Sequence, residues 1–343
     1  MAYTTINKPD TYFNTKLYTG TGATQSITGV GFQPDLVWIK NRSAIEDHFW
    51  YDAVRGISKL LKCNLSDAEA TTSTVDLFNS FDSDGFTIGN SSGINGNGNN
   101  IVSWNFKAGG TAVSNTDGSI TSSVSANQTA GFSIVSYTGN GVSGATIGHG
   151  LGNTPKIVIT KNRSNAVDWF YFTTAIDGSL DYLILNTTDA KGDSIATAPN
   201  SSVFYATSAA GINTNGDNYI AYCFAEIKGF SKFGSYVGNG SADGPFIYTG
   251  FKPAMIITKK TSVSGDNWQI RDNKRDTYNE ANRLLKPNAS TAEQTTDAMD
   301  YYSNGFKWRN SAGEVNASGA TFIYMAFAEN PLVTTSGVPA TAR

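Results

Sequence analysis

The chain has 343 residues, of which only 15% are charged, and its formal net charge is −3 at pH 7. This balance excludes a nucleic-acid binder that works by neutralising phosphates, because such proteins cluster an excess of Lys and Arg. No run approaches the ~18 to 20 apolar residues that a membrane-spanning helix needs, so no membrane insertion is expected. Since domains cluster near ~100 to 150 residues, the length predicts two or three of them.

The chain opens with a polar segment, residues 1–12, which contains Pro9 and predicts an extended arm. Two interpretations of it stay open: a frayed terminus, or an arm that docks on a neighbouring protein. Three repeats follow at 13–108, 109–228 and 229–330, and the second begins with a small, polar linker at 109–118. A tail at 331–343 completes the chain.

One short segment defines the repeats because it recurs in all three. It comprises a turn, a proline, an apolar run and a basic end, and its copies are Gly31–Ser43, Leu151–Ser164 and Gly250–Thr261. Proline fixes φ and can open a strand but not occupy its middle, so each copy predicts one buried strand.

Further strands follow that segment in each repeat. They comprise an aromatic segment, a leucine-rich segment and a closing strand rich in Trp, Tyr and Phe, with Gly, Asn and Ser turns between them. A turn-and-strand segment, Asp82–Ile88, recurs at Ser303–Trp308 but only loosely at Ala210–Ile212. Six or more short strands in roughly 100 residues predict an all-β fold of three tandem antiparallel β-sandwich or jelly-roll domains, each around its own aromatic core.

Residues suited to catalysis or metal binding are few. His48 and His149 occupy non-equivalent places, which favours packed or surface imidazoles over a catalytic base. Asp82 and Asp84 could form the carboxylate pair of a glycosidase, although a turn is the commoner meaning of Asp-Ser-Asp-Gly. With Asp217 they are also weak calcium candidates, the alternative being hairpin turns. We expect no catalytic residue, no cofactor and no firm metal site.

The most regular polar feature is a basic strand end beside an aromatic ring. It involves Lys40, Arg42 and Trp50 in repeat 1, and Lys161, Arg163 and Trp169 in repeat 2. One interpretation is structural: a guanidinium lies above an indole in a cation–π contact. The other is a glycan or lipopolysaccharide subsite, in which a ring stacks on a sugar and the cation meets its acidic groups.

Two segments, Thr5–Gly22 and Gly29–Arg42, resemble a repeat domain common in structural proteins of tailed bacteriophages, notably those of marine bacteria and cyanobacteria. Its strand pattern is in turn similar to concanavalin-A-like lectin jelly rolls. The resemblance covers nearly the whole chain and is weakest in repeat 3, where Lys260-Thr261 replaces Asn-Arg-Ser.

This resemblance implies a virion structural protein on the tail or capsid surface, made in the host cytoplasm. The expected role is a tail fibre or receptor-binding component that contacts host surface polysaccharide or lipopolysaccharide. A homo-oligomer is implied, with a trimer as one candidate, attached to other virion proteins through the N-terminal arm. The alternatives are a capsid decoration or head fibre protein and, from another class, a polysaccharide depolymerase; we do not expect an enzyme.

Overall fold

The computed structural model describes residues 3–72 and 77–341, so the ends of the predicted arm and tail, Met1 with Ala2 and Ala342 with Arg343, lie outside the described residues. Strands dominate the fold, and paired strands within its sheets run antiparallel. The predicted all-β class is confirmed, with sheets that fit β-sandwich units. The count of tandem jelly rolls stays a prediction.

Repeat 1 follows a 3₁₀-helix, Pro9–Thr11. Its elements are β1 (Phe13–Thr19), β2 (Gln25–Thr28), β3 (Leu36–Asn41), β4 (His48–Asp52), β5 (Lys59–Lys62), β6 (Ala70–Thr71), β7 (Phe78–Asp82), β8 (Gly85–Ile88), α1 (Ser92–Asn95) and β9 (Asn100–Phe106). They form an inner sheet in the order β1-β9-β3-β4-β5-β6 and an outer sheet in the order β2-β8-β7.

Repeat 2 also has an inner and an outer sheet, but their strand numbers differ from those of repeat 1. Its elements are β10 (Val113–Asn115), β11 (Ser122–Asn127), β12 (Phe132–Thr138), β13 (Ala145–Gly148), β14 (Ile157–Asn162), β15 (Phe170–Thr173), β16 (Asp181–Ile184), β17 (Gly192–Asp193), β18 (Val203–Ala206) and β19 (Asn218–Phe224). The inner sheet has the order β10-β11-β12-β19-β14-β15-β16-β17, and the outer sheet pairs β13 with β18. The predicted linker contains β10, which pairs with β11 and so belongs to this sheet.

Repeat 3 extends to the tail. Its elements are β20 (Ser231–Val237), β21 (Phe246–Tyr248), β22 (Phe251–Lys260), β23 (Gln269–Asp272), β24 (Ala281–Leu284), β25 (Gln294–Tyr302), β26 (Gly305–Trp308), α2 (Gly313–Asn316) and β27 (Thr321–Pro331). Its sheets have the orders β20-β27-β22-β23 and β21-β26-β25-β24. Among the residues that the structure describes, no helix is both long and apolar enough to cross a membrane.

The recurring segment forms a buried strand in each repeat: β3, β14 and β22. Pro34 and Pro155 precede their strands, as predicted from the missing N–H of proline. Pro253 instead lies inside β22, at a register shift in its pairing with β27. A bulge tolerates proline because the local ladder is already interrupted there.

The described residues form four hydrophobic cores, and one of them belongs to all three repeats. Each repeat encloses a separate core between its sheets. The fourth, which we call the shared core, lies among the inner sheets; its large rings include Trp38, Trp50, Trp104, Trp169, Tyr222, Trp268 and Phe327. The expectation that each repeat wraps only its own interior is therefore corrected: alternate residues of the inner strands face a separate core and the shared core.

The repeats contact one another cyclically, through the same hydrogen bonds at each seam. An ammonium group on the inner sheet of one repeat donates to a backbone carbonyl of another: Lys161 to Ser66, Lys259 to Thr188, and Lys40 to Ser290. Backbone amides reproduce the pattern: Glu69 donates to Arg163, Lys191 to Thr261, and Glu293 to Arg42. Repeat 3 thus closes a ring onto repeat 1.

The described part of the N-terminal arm packs against its own chain. The Tyr3 hydroxyl donates to the Gly250 carbonyl, and Ile6 is buried in the shared core. The Asn7 side chain hydrogen-bonds Thr335 of the tail. These contacts correct the expectation of an extended arm outside the core, whereas docking of the arm on another virion protein stays a prediction.

One pair of positions beside the shared core differs between the repeats. These two equivalent positions hold Trp38 and His48 in repeat 1, Ile159 and Trp169 in repeat 2, and Ile257 and Trp268 in repeat 3. In each repeat an Asn side chain accepts a hydrogen bond from the backbone N–H at the second position. Trp169 and Trp268 donate their indole N–H to carbonyls of the preceding repeat. His48 instead accepts from the Trp38 indole through Nδ1 at 2.9 Å, and burial lowers the pKa of this imidazole well below its usual value.

We expect His48→Trp alone to lower the free energy of unfolding by about 1 to 3 kcal/mol, because two indoles overfill the site. Adding Trp38→Ile should recover at least half of that loss, since it recreates the pair found in repeats 2 and 3. Urea unfolding of the four proteins in a double-mutant cycle measures the coupling. Strictly additive losses would contradict the equivalence of these positions.

Candidate functional site

The aromatic rings predicted to bind glycan are buried between repeats. Trp50 and Trp169 are 2% and 0% exposed, and their ring centroids lie 5.2 Å apart in the shared core. Lys40 and Lys161 are equally buried, with their ammonium groups hydrogen-bonded to carbonyls. The stacking hypothesis is corrected on this ground, because no sugar reaches either indole.

The two arginines of that predicted site form ion pairs across the seams. Arg42 makes a bidentate pair with Glu293 of repeat 3, and Arg163 makes one with Glu69 of repeat 1. Bidentate guanidinium–carboxylate pairs fix orientation as well as charge. These arginines therefore join neighbouring repeats.

The carboxylates predicted as metal or catalytic candidates already accept hydrogen bonds from groups within the chain. Asp82 accepts from Ser80 and Thr87, Asp84 from the amides of Gly29 and Gly31, and Asp217 from Asn162 and Asn165. The two glycine amides lower the pKa of Asp84. Within residues 3–72 and 77–341, no group of three or more His, Cys, Asp or Glu side chains is placed to hold a metal ion. The turn interpretation fits all three aspartates.

The second histidine is packed inside repeat 2. His149 is 0% exposed, its Nε2 lies 3.0 Å from the Asn200 carbonyl, and its Nδ1 accepts from the Leu151 amide. Burial lowers the pKa of this imidazole. Its contacts make it a structural residue of the loop that follows β13.

An open groove in repeat 2 is the strongest candidate for a binding site. Its volume is about 200 Å³, and Phe170, Phe172 and Tyr182 form its floor. The ring centroid of Phe170 lies 5.9 Å from that of Phe172 and 5.7 Å from that of Tyr182. Asp193 and Thr207 lie at its rim. The groove therefore combines an aromatic surface with hydrogen-bonding groups.

The groove exists because a covering ring found in repeat 1 is missing from repeat 2. Phe172 pairs with Val158 in the sheet, as Tyr51 pairs with Val37 in repeat 1. Phe78 of β7 stacks on Tyr51 at 4.6 Å and leaves it 0% exposed. Repeat 2 has no matching ring over Phe172 in the described structure.

Small side chains replace that cover in repeat 2. Residues 194–202 form no strand, and their inward contacts to the core come from Ala196 and Ala198. Ile195, which precedes Ala196, is 92% exposed. Alanine leaves part of the space of an aromatic side chain unfilled, so Phe170 and Tyr182 are only half-buried, while Phe172 keeps 9% of its surface exposed.

Two glycines allow the floor rings to lie against the backbone. A Cβ built on Gly211 would lie 2.1 Å from the Phe170 ring, and one on Gly192 would lie 2.4 Å from the Tyr182 ring. Such distances are far below contact, so any side chain at either position would displace a ring. The lack of a side chain at Gly192 and Gly211 therefore allows both rings to keep their positions.

An acidic cluster borders the groove. Asp193 of β17 lies opposite Asp181 of β16, and the Lys191 ammonium contacts both at 2.9 and 2.7 Å and Asp177 at 3.1 Å. Burial raises the pKa of Asp181, whose side chain is 0% exposed, whereas the hydrogen bond from Lys191 lowers the pKa of Asp193. Asp193 remains 87% exposed. It is therefore an ionised, accessible acceptor beside the rings.

This arrangement suits a ligand that has an apolar face and hydrogen-bonding edges. Aromatic rings offer a flat apolar surface, and the carboxylate and hydroxyl groups at the rim fix orientation. A volume of about 200 Å³ is below the ~300 to 1,000 Å³ of pockets that enclose a drug-sized molecule. The groove thus fits one ring of a longer ligand, such as one residue of an oligosaccharide.

Comparison with known proteins identifies a family but no activity. A family model described as a domain of unknown function (DUF7483) matches residues 8–331, which span all three repeats. No curated protein and no solved structure matches the chain. One model across the whole ring agrees with repeats that share a core. The chain belongs to this family, the domain of unknown function DUF7483.

Proposed function

We propose that the chain is a bacteriophage virion structural protein, a tail fibre or receptor-binding component that contacts host surface glycan through the groove of repeat 2. The open aromatic floor is the observation that carries the glycan-binding part. The resemblance of Thr5–Gly22 and Gly29–Arg42 to a repeat domain of phage structural proteins supports the virion part.

The floor is preorganised for binding. Phe170 and Phe172 lie on β15 and Tyr182 on β16, so a packed sheet fixes their spacing. Groups held by a rigid element lose little conformational entropy when a ligand arrives. A weak contact to one sugar ring can thus be useful, and copies of the chain on one particle would multiply it through avidity.

The closed ring of repeats supports a role on a particle surface. The shared core and the equivalent hydrogen bonds at the seams hold the repeats as one body. A component of this kind keeps its binding groove at a fixed position relative to its attachment point. Such rigidity favours simultaneous engagement of several copies with one cell.

The test is binding of the full chain to a glycan array and to host cells. We expect Phe170→Ala and Tyr182→Ala each to weaken binding about tenfold, because each removes part of the stacking surface, on the order of 1.4 kcal/mol. Tyr278→Ala is the matched control, since Tyr278 is an aromatic residue of repeat 3 that is 79% exposed. Unchanged binding of both groove variants would remove the groove from the proposal.

The place on the particle is a separate question with its own measurement. Electron microscopy of virions labelled with an antibody to this chain should place it on the tail. Label on the head would favour a capsid decoration or head fibre protein, and absence from purified virions would contradict the virion role.

A further inference from the structure

We infer that the groove of repeat 2 prefers a sugar that carries a protonated amine over neutral or acidic sugars. The inference rests on the proposed function, because it assigns the ligand class of the same groove. It follows from the charges around the aromatic floor, and it reverses the acidic-glycan expectation drawn from the basic strand ends.

The charge at the rim is negative. Among the residues that line the groove in the described structure, the charged one is Asp193. Asp177 and Asp181 join it around Lys191, which places three carboxyl groups against one ammonium group. Even with the buried Asp181 neutral, two carboxylates against one ammonium leave a net charge of −1.

Lys191 has no hydrogen left for a ligand. An ammonium group has three donors, and its contacts to Asp177, Asp181 and Asp193 account for all three. An acidic sugar would therefore meet carboxylates with no free cation to pair with. Its approach is opposed by like charge.

Asp193, by contrast, can still accept hydrogen bonds from a ligand. A carboxylate has about four lone-pair sites, and the Lys191 bond uses one of them at Oδ1. Its side chain is 87% exposed at the rim, so an amine on a sugar ring stacked on the floor can reach it. The faces of Phe170 and Tyr182 add attraction for the same cation.

The basic residues that favoured an acidic glycan already have partners within the chain. Lys40 and Lys161 are buried at the seams, and Arg42 and Arg163 are paired with glutamates of other repeats. The sign of the charge at the open aromatic surface is thus the opposite of that at the strand ends.

The experiment titrates the full chain, by calorimetry at pH 6, with three trisaccharides: glucosamine, N-acetylglucosamine and galacturonic acid trimers. We expect the glucosamine trimer to bind about two- to fivefold tighter than its acetylated form, as for an exposed ion pair, with the ratio falling at high salt. Asp193→Asn should bring that ratio close to one. Asp243→Asn is the control, because Asp243 is an exposed aspartate of repeat 3 paired with Lys307, and it should keep the wild-type ratio.

The outcomes separate this inference from the proposed function. Equal binding of the first two trimers, tighter binding of the galacturonic acid trimer, or a ratio unaffected by Asp193→Asn would overturn the amine preference and leave glycan binding standing. Binding of no trimer, with no glycan bound on the array, would overturn both.

Discussion

Expressed on its own, repeat 1 (residues 13–108) should fail to form a stable folded monomer, whereas the full chain should unfold in one cooperative transition. Separation exposes the shared-core face of the inner sheet, which includes Trp38, Trp50, Trp104 and Phe106. At ~1.5 to 3 kcal/mol for each large apolar side chain, these four alone amount to roughly 6 to 12 kcal/mol. That is comparable to the whole stability of a typical domain, ~5 to 15 kcal/mol.

Circular dichroism, dye binding and size-exclusion chromatography of the isolated repeat provide the measurement. A version with Trp38, Trp50 and Trp104 replaced by Thr is the informative comparison: it should aggregate less, because the exposed face is less apolar. A monomeric wild-type repeat with cooperative urea unfolding would show that the shared core is dispensable.

Replacing Arg55 with methionine should lower the free energy of unfolding by about 3 to 5 kcal/mol, because it leaves the Asp52 carboxylate buried without its cation. Both side chains are 0% exposed, and the guanidinium also donates to the Trp50 carbonyl. Asp52 accepts a further hydrogen bond, 2.7 Å long, from the Tyr222 hydroxyl of repeat 2. The substitution therefore damages a network that joins two repeats.

Chemical denaturation of the full chain measures this loss. Arg283→Met is the matched control, since Arg283 has a 47% exposed side chain and a looser ion pair, and it should cost less than about 1 kcal/mol. Arg275→Met should reproduce the large loss, because Arg275 and Asp272 form the same buried pair in repeat 3, with Trp104 of repeat 1 as the donor. Losses below 1 kcal/mol at both buried arginines would refute the account of these seams.

The strands were predictable because their signals are local. The segment from Leu36 to Asn41 reads as a buried strand from Pro34 and its apolar run, and the same run at Ile157–Asn162 shows the repeat. Every residue of both strands is buried, whereas a strand with one solvent-exposed face would alternate between buried and exposed residues. The continuous apolar run therefore indicates that each strand packs against a core on both of its faces. Other repeats supply part of the shared core, as where Trp169 packs against Trp50 from more than a hundred residues away, so its full membership could not be inferred from the run itself.

The candidate site was harder to predict because it depends on what one repeat omits. Phe170 and Phe172 look like core residues in the sequence, and their counterparts in repeat 1 are covered. The loose match of Ala210–Ile212 to the segment Asp82–Ile88 did not locate the change, because Ala210–Ile212 forms a turn and the strand that corresponds to β8 is β18. Lys40 and Arg42 were wrongly predicted to face a ligand, because a charged side chain usually lies in water. Here residues about 250 positions further along the chain supply their partners instead.

Closure of the ring has a consequence for how the chain is made. The bond between Lys40 and Ser290 spans 250 residues, and a ribosome adding ~5 to 20 residues per second needs roughly 10 to 50 seconds for that length. Throughout this interval the tryptophan-rich face of repeat 1 lacks its contacts with repeat 3. Chaperone capture during translation, and slower codons after residue 108, would therefore affect the yield of this protein more than its final stability.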